Sequence, residues 1–150
     1  MKKTAFNDMH RQMGGKMVEF VGFDMPVQFE GINIEHETVR NKLGVFDVSH
    51  MGEFWIEGEN AFCLAQRVGT NNIADLTDGK VQYSCFPNGK GGIVDDFLCY
   101  RFSPEKYLLV VNAANIDKDF EHIVKQNKFD TQFRNASDDI SQLAIQGPLA

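Results

Sequence analysis

The chain has 150 residues, 43% hydrophobic and 24% charged, a balance that suits a globular fold with its own core. A net charge of −6 with no basic run argues against a nucleic-acid or anionic-membrane surface. Three scattered cysteines, Cys63, Cys85 and Cys99, without a CxxC pair, argue against a disulfide framework or a cysteine zinc site and fit a reducing compartment. The Lys2-Lys3 start has no apolar run behind it, and no window approaches roughly 18 apolar residues. Neither a signal peptide nor a membrane span is expected, and the expected location is cytoplasmic.

The first predicted element is a short helix over 4–13, with Thr4 as N-cap and Gly14-Gly15 as its stop. Met17 to Phe23 reads as a strand, and Ile34 to Leu43 as a helix closed by Gly44. Short strands are expected at Val45–Val48 and Phe54–Ile56. Asn60 stands where it caps a helix whose Ala61, Leu64, Ala65 and Val68 form one stripe, stopped by Gly69.

The next stretch is β-rich. Strands are predicted at Val81–Phe86, Ile93–Phe102 and Tyr107–Val111, the last two joined by the hairpin loop Ser103–Lys106. Between the first two lies Pro87-Asn88-Gly89-Lys90-Gly91-Gly92, which is turn chemistry. It is not a phosphate loop, because the GxxxxGK[ST] pattern is absent and a strand follows instead of a helix N-terminus. A helix is predicted over Ile116–Gln126, burying Ile116, Phe120, Ile123 and Val124, with Asn115 as cap and Asp117 and Asp119 suited to its N-terminal dipole. Further strands are expected at Phe129–Phe133 and from Gln142 to Ile145.

Asp95 and Asp96 sit side by side inside a strand, where Asp is disfavoured. Successive strand residues point to opposite faces, so the two cannot share one task. Asp96 shares its face with Leu98 and Tyr100, with Tyr83 on the neighbouring strand. A carboxylate among aromatics suits a flat, cationic or N–H-rich heterocycle better than a phosphate. Asp95 shares the other face with Ile93 and Phe97 and reads as a structural acceptor for a turn or backbone amides. Asp47, His50 and Met51 also cluster, but metal sites want three or four ligands and no GxSxG elbow is present, so His50 reads as a structural or pocket residue.

Phe46-Asp47-Val48-Ser49-His50-Met51-Gly52-Glu53, Gly91 to Asp96, Val110 to Asn115 with Lys118-Asp119, and Gln146-Gly147-Pro148 occur in order. With Gly15 to Phe20 and Met25-Pro26, they closely resemble the aminomethyltransferases, the T-proteins of the glycine cleavage system. Members of that family are over twice this long, so the resemblance is to an N-terminal portion, and the chain reads as cut within the last motif. It implies an incomplete α+β, folate-binding T-protein-like fold of antiparallel sheets with packed helices. Residues 53–139 are expected to form one unit, and 1–52 with 140–150 part of a discontinuous second one.

The resemblance further implies transfer of an aminomethyl carbon from the lipoyl arm of an H-protein to tetrahydrofolate, with release of ammonia and no metal. It carries the family's catalytic aspartate onto Asp96, its folate-site aromatics onto Tyr83 and Tyr100, and further pocket positions onto Met51 and Asn112. Another acid and an arginine of that pocket fall beyond residue 150. Whether Asp96 acts as general base or as an electrostatic orienter stays open. A folate domain of a sarcosine or dimethylglycine dehydrogenase is a competing enzyme reading; a non-catalytic folate binder of the same fold, a sensor or repair factor, is the competing reading of another class. The simple hairpin register pairs Phe102 with Tyr107 and hence Phe97 with Asn112, which puts Asn112 on the face opposite Asp96. For the two to meet, the hairpin needs a β-bulge or the strand must already be turning there; the strand is expected to end at Val111, since a helix follows closely.

Overall fold

Residues Met1–His50 with Ile140–Ala150 make one unit, and Met51–Asp139 makes a second; the computed structural model describes all residues from 1 to 150. The first unit opens with α1 (Asn7–Gln12), which has no side-chain cap. Thr4 is not its N-cap: its hydroxyl instead donates to the Asp47 carboxylate at 2.6 Å. The strand expected over 17–23 is a hairpin of β1 (Met17–Phe20) and β2 (Phe23–Pro26), turning at Val21-Gly22 with φ of 51° and 82°. A β-branched residue with positive φ carries no turn signal in the sequence; the Glu19 carboxylate supports it by accepting from the Gly22 amide at 2.7 Å. Helix α2 (Ile32–Asn41) then leads into β3 (Gly44–Asp47).

The second unit is an antiparallel sheet with helices on one face, in keeping with the α+β expectation. Its strands are β4 (Gly52–Glu57), β5 (Val81–Pro87), β6 (Ile93–Ser103), β7 (Lys106–Val111) and β8 (Gln132–Asn135), in the order β5-β6-β7-β4-β8. Helix α3 (Ala61–Val68) buries the predicted stripe of Ala61, Leu64, Ala65 and Val68. Helix α4 (Ile116–Gln126) buries Ile123, whereas Val124 is 50% exposed, contrary to the helical stripe expected for it. These helices pack on Phe54, Ile56, Phe97, Leu109 and Val111, with Phe86 and Phe97 stacked at 4.0 Å. Each fully buried Leu or Phe of this layer contributes on the order of 2 kcal/mol. The chain finally returns to the first unit as β9 (Leu143–Gln146), antiparallel to β3. No helix is long and apolar enough to cross a membrane.

The β6–β7 hairpin settles the register. Ser103 pairs with Lys106, so the loop is the two residues Pro104-Glu105 and not the four expected. Arg101 pairs with Tyr107, which leaves Phe102 as an extra, bulged residue. Arg101 is fastened from outside the hairpin: its guanidinium donates to Asp78 at 2.7 Å and to the Leu76 carbonyl at 2.6 Å, and its backbone bonds Lys80 and Gly79. The spare residue therefore falls at Phe102. Beyond the bulge Phe97 pairs with Val111, so Asn112, just past the strand end, continues the register opposite Asp96.

Gly52 marks the close approach of α4 to the sheet, because a Cβ there would lie 2.6 Å from Ile116 Cγ1 and 2.7 Å from Val111 Cγ2. Gly52→Ala is expected to lower stability by about 1–3 kcal/mol through overpacking. Denaturant unfolding of the intact protein checks this; an unchanged midpoint would contradict the packing.

Candidate functional site on the helix-free face

The register lays side chains of the helix-free face in rows across the sheet. One row runs Cys85, Asp96, Asn112 and, by continuing the pairing of Gly52 with Val111, Met51. The next holds Tyr83, Leu98, Val110 and Glu53, and the third Val81, Tyr100, Leu108 and Trp55. Asp96, Asn112, Met51, Tyr83 and Tyr100 thus all lie on one face within three rows. Tyr83, 57% exposed, donates its hydroxyl diagonally to Asp96 Oδ2. Two surface hollows lie away from these residues, the smaller, about 160 Å³, among Arg67, Asn88, His122 and Gln126.

Asn112 ties the neighbouring carboxylates together. Its Nδ2 donates to Asp96 Oδ1 at 2.7 Å and to Asp95 Oδ1 at 3.0 Å. Two carboxylates can be served only by the NH₂ end of the amide, so its orientation is determined. Asp95 also accepts from Asn115 Nδ2 at 2.9 Å. It is held by side-chain amides more than by the backbone amides expected for it. Burial opposes its ionisation, but the neighbouring Asp119 carboxyl and bonds from Asn115, the Asp96 amide and Asn112 outweigh burial and hold its carboxyl below the usual range. Asn115, expected as a helix cap, makes no cap bond.

Two further acids were not singled out by pattern. Asp119, expected to serve the helix dipole, is fully buried, with neither carboxylate oxygen partnered. Burial first, then the neighbouring Asp95 carboxyl, push it up to about 7. Glu53 is also fully buried, with both carboxylate oxygens unpartnered, and burial pushes it up to about 8. Polar residues inside β4 and α4 were the available signals, but the partners that decide their state lie far off in sequence.

In the first unit, Asp47 Oδ2 accepts from Thr4 and lies 2.8 Å from His10 Nε2, while its Oδ1 accepts from the Ser49 amide at 3.0 Å. His50 packs edge-on against Phe20 at 5.3 Å, and burial lowers its affinity for a proton. Asp47 is thus a local anchor for α1 and β3. No group of three or more His, Cys, Asp or Glu side chains stands together as a metal-binding set.

The second unit is thus an α+β scaffold with a carboxylate and two tyrosines on its helix-free sheet face. The chain belongs to the GCVT N-terminal domain family, which matches residues 6–150. It is 55% identical over 150 residues to the aminomethyltransferase of Bacteroides thetaiotaomicron and 57% identical to that of Phocaeicola vulgatus, covering all of this chain and 42% of each relative. The chain therefore spans less than half the length of these curated relatives. The solved structure of glycine cleavage system aminomethyltransferase T from Bartonella henselae superposes with a TM-score of 0.86 at 31% identity, over 99% of this chain and 41% of that one.

The Glu53 carboxyl sets a stability–pH expectation. Its folded value of about 8 stands above the ordinary 4.5, so between them the folded protein holds a proton that the unfolded chain releases. The stability is present at low pH and falls as pH rises, and the loss is complete above about 8. Asp119, at about 7, adds a slope of the same sign that fades across the window from pH 7 to about 8, so the difference between the unmutated protein and a Glu53 variant is what reports Glu53. Glu53→Gln is expected to remove the Glu53 part of that slope, at most about 1.4 kcal/mol per pH unit. Denaturant titrations of both proteins across the window check this; parallel slopes would contradict it.

Proposed function

We propose that the intact protein is the aminomethyltransferase of a glycine cleavage system. It takes the aminomethyl group carried on the lipoyl arm of an H-protein and passes its carbon to tetrahydrofolate. Ammonia, 5,10-methylenetetrahydrofolate and the dihydrolipoyl arm are the products, so the protein works in glycine catabolism and one-carbon metabolism. The observation that carries this reading is the Asp96 carboxylate, held at 2.7 Å by Asn112 and bonded by Tyr83 on an aromatic sheet face. It is supported by the 55% identity of the whole chain to a curated aminomethyltransferase. Three free thiols suit a reducing compartment, and we assign the protein to the cytoplasm.

Asp96 is the proposed catalytic residue, and Met51, Tyr83, Tyr100 and Asn112 the proposed folate contacts beside it. The attacking nitrogen of tetrahydrofolate is a weak nucleophile and gains positive charge as it bonds the aminomethyl carbon. A carboxylate within hydrogen-bond reach of its N–H orients the lone pair and stabilises that charge. Tyr83 and Asn112 hold the carboxylate in advance, so little reorganisation is needed at the moment of attack. Removal of the proton after attack by the same carboxylate is the general-base variant of this scheme.

Asp96→Asn keeps the shape and removes the charge. In the intact protein, with aminomethyl-loaded H-protein and tetrahydrofolate, it is expected to lower kcat by about 100-fold or more while folate binding weakens only a few-fold. Formation of 5,10-methylenetetrahydrofolate and equilibrium folate titration check the two halves. Turnover near that of the unmutated protein would contradict the role of Asp96. Folate binding without any turnover by the unmutated protein would favour the non-catalytic folate binder.

A further inference from the structure

Strand β5 is the outer strand of the five-stranded sheet, so only one side of its backbone bonds β6. The turn that follows α3 covers the other side at Tyr83 and Cys85. There the Thr70 amide donates to the Cys85 carbonyl at 3.1 Å, and the Cys85 amide donates to Thr70 Oγ1 at 3.3 Å. Asn71 Nδ2 donates to the Tyr83 carbonyl at 2.5 Å. Between them the fully buried Ser84 hydroxyl accepts from the Thr70 and Asn71 amides at 3.0 and 3.2 Å. A Cβ on Gly69 would lie 2.9 Å from that hydroxyl, so the turn reaches the strand because this residue has none.

These bonds show which side chains of β5 and β6 stand closest. The backbone groups of Tyr83 and Cys85 face the turn, away from β6, so Tyr83–Leu98 and Cys85–Asp96 are the ladder pairs without mutual hydrogen bonds. Side chains of such pairs approach most closely, with Cα atoms about 4.5 Å apart. Tyr83 therefore stands near enough for its hydroxyl to donate diagonally to Asp96, two residues along β6 from its own partner. Its ring is 57% exposed, so packing alone does not fix it. The backbone from which it hangs does, and Asn71 holds the Tyr83 carbonyl. Without that bond the edge is free to twist, and a hydroxyl at the far end of a phenol ring leaves hydrogen-bond range on a small rotation.

We propose that Asn71 is a positioning residue for Asp96: its amide fastens the carbonyl of Tyr83 at the outer edge of the sheet, and the hydroxyl of Tyr83 holds the Asp96 carboxylate. This rests on the reading of Asp96 as the carboxylate that serves the attacking nitrogen of the folate. Asn71 is exposed, and its own hydrogen bonds go to Ser84 and to the Tyr83 backbone, so its effect on Asp96 passes through Tyr83.

A double-mutant cycle in the intact protein, with aminomethyl-loaded H-protein and tetrahydrofolate, tests this. Asn71→Ala is expected to lower kcat by about 5- to 20-fold while KM for tetrahydrofolate rises no more than about threefold. Tyr83→Phe, which removes only the hydroxyl, is expected to lose at least as much, and the double variant to fall within about twofold of Tyr83→Phe. A merely structural role of the turn would instead lower kcat by the same factor in both backgrounds. An unchanged kcat in Asn71→Ala, or losses that multiply in the double variant, would overturn the proposal. Should Asn71→Ala fail to fold, Asn71→Asp keeps the size, replaces the donor by an acceptor and takes its place in the cycle. Crystal structures supply a readout independent of turnover: the Tyr83 hydroxyl bonded to Asp96 in the unmutated protein and displaced from it in Asn71→Ala. A Tyr83–Asp96 bond retained in Asn71→Ala overturns the proposal, whereas a displaced Tyr83 in a protein whose unmutated form transfers no carbon overturns the transferase reading alone.

Discussion

The side-chain amide of Asn112 connects two carboxylates that the pleat of β6 sends to opposite faces of the sheet. One hydrogen bond, of 2.7 Å, goes to Asp96 on the helix-free face, and another, of 3.0 Å, to Asp95 on the helix side. Each hydrogen of the amide is committed to an anion, which makes these bonds stronger than neutral ones. The arrangement gives the half-buried Asp96 carboxylate a support on the helix side of the sheet. A carboxylate fixed before its substrate arrives needs little rearrangement during reaction, and that is the source of electrostatic catalysis.

That connection depends on a spare residue some ten positions away. With Phe102 bulged, Asn112 continues the strand register opposite Asp96; without the bulge it would stand opposite Phe97, on the wrong face. A one-residue slip exchanges the two faces of a strand. Four hydrogen bonds from the 76–80 segment to Arg101 place the slip at Phe102. The bulged Phe102 ring then packs against Trp55 at 5.2 Å. Loop, bulge and site are in this sense one arrangement, and Gly52 completes it by letting the start of α4 approach the sheet closely enough for Asn115 to reach Asp95.

Local patterns made much of this fold legible. The apolar stripes of α3 and α4 gave their limits closely, because helical spacing of Leu64, Ala65 and Val68, or of Phe120 and Ile123, is written within one turn or two. The glycine turn before β6 and the face shared by Asp96, Tyr100 and Tyr83 followed from turn chemistry and from alternation. What stayed hidden is non-local. The Val21-Gly22 turn relies on a β-branched residue in a conformation that it rarely adopts. Asn115 reads as a cap because Asp95, the group that employs it, lies about twenty residues earlier in the chain. Thr4, likewise, serves Asp47 in place of its own helix. Short polar side chains at a helix start carry the same local signal whether they bond to that helix or to a distant strand.

Of the two neighbouring carboxylates, Asp96 is the one proposed to meet the folate. A crystal structure of the intact protein with tetrahydrofolate bound tests this most directly. The expected result is the attacking arylamine nitrogen of tetrahydrofolate within hydrogen-bond distance of the Asp96 carboxylate, next to the rings of Tyr83 and Tyr100, with Asn112 still bridging Asp95 and Asp96. A folate bound with its arylamine nitrogen elsewhere and Asp96 facing only solvent would contradict it.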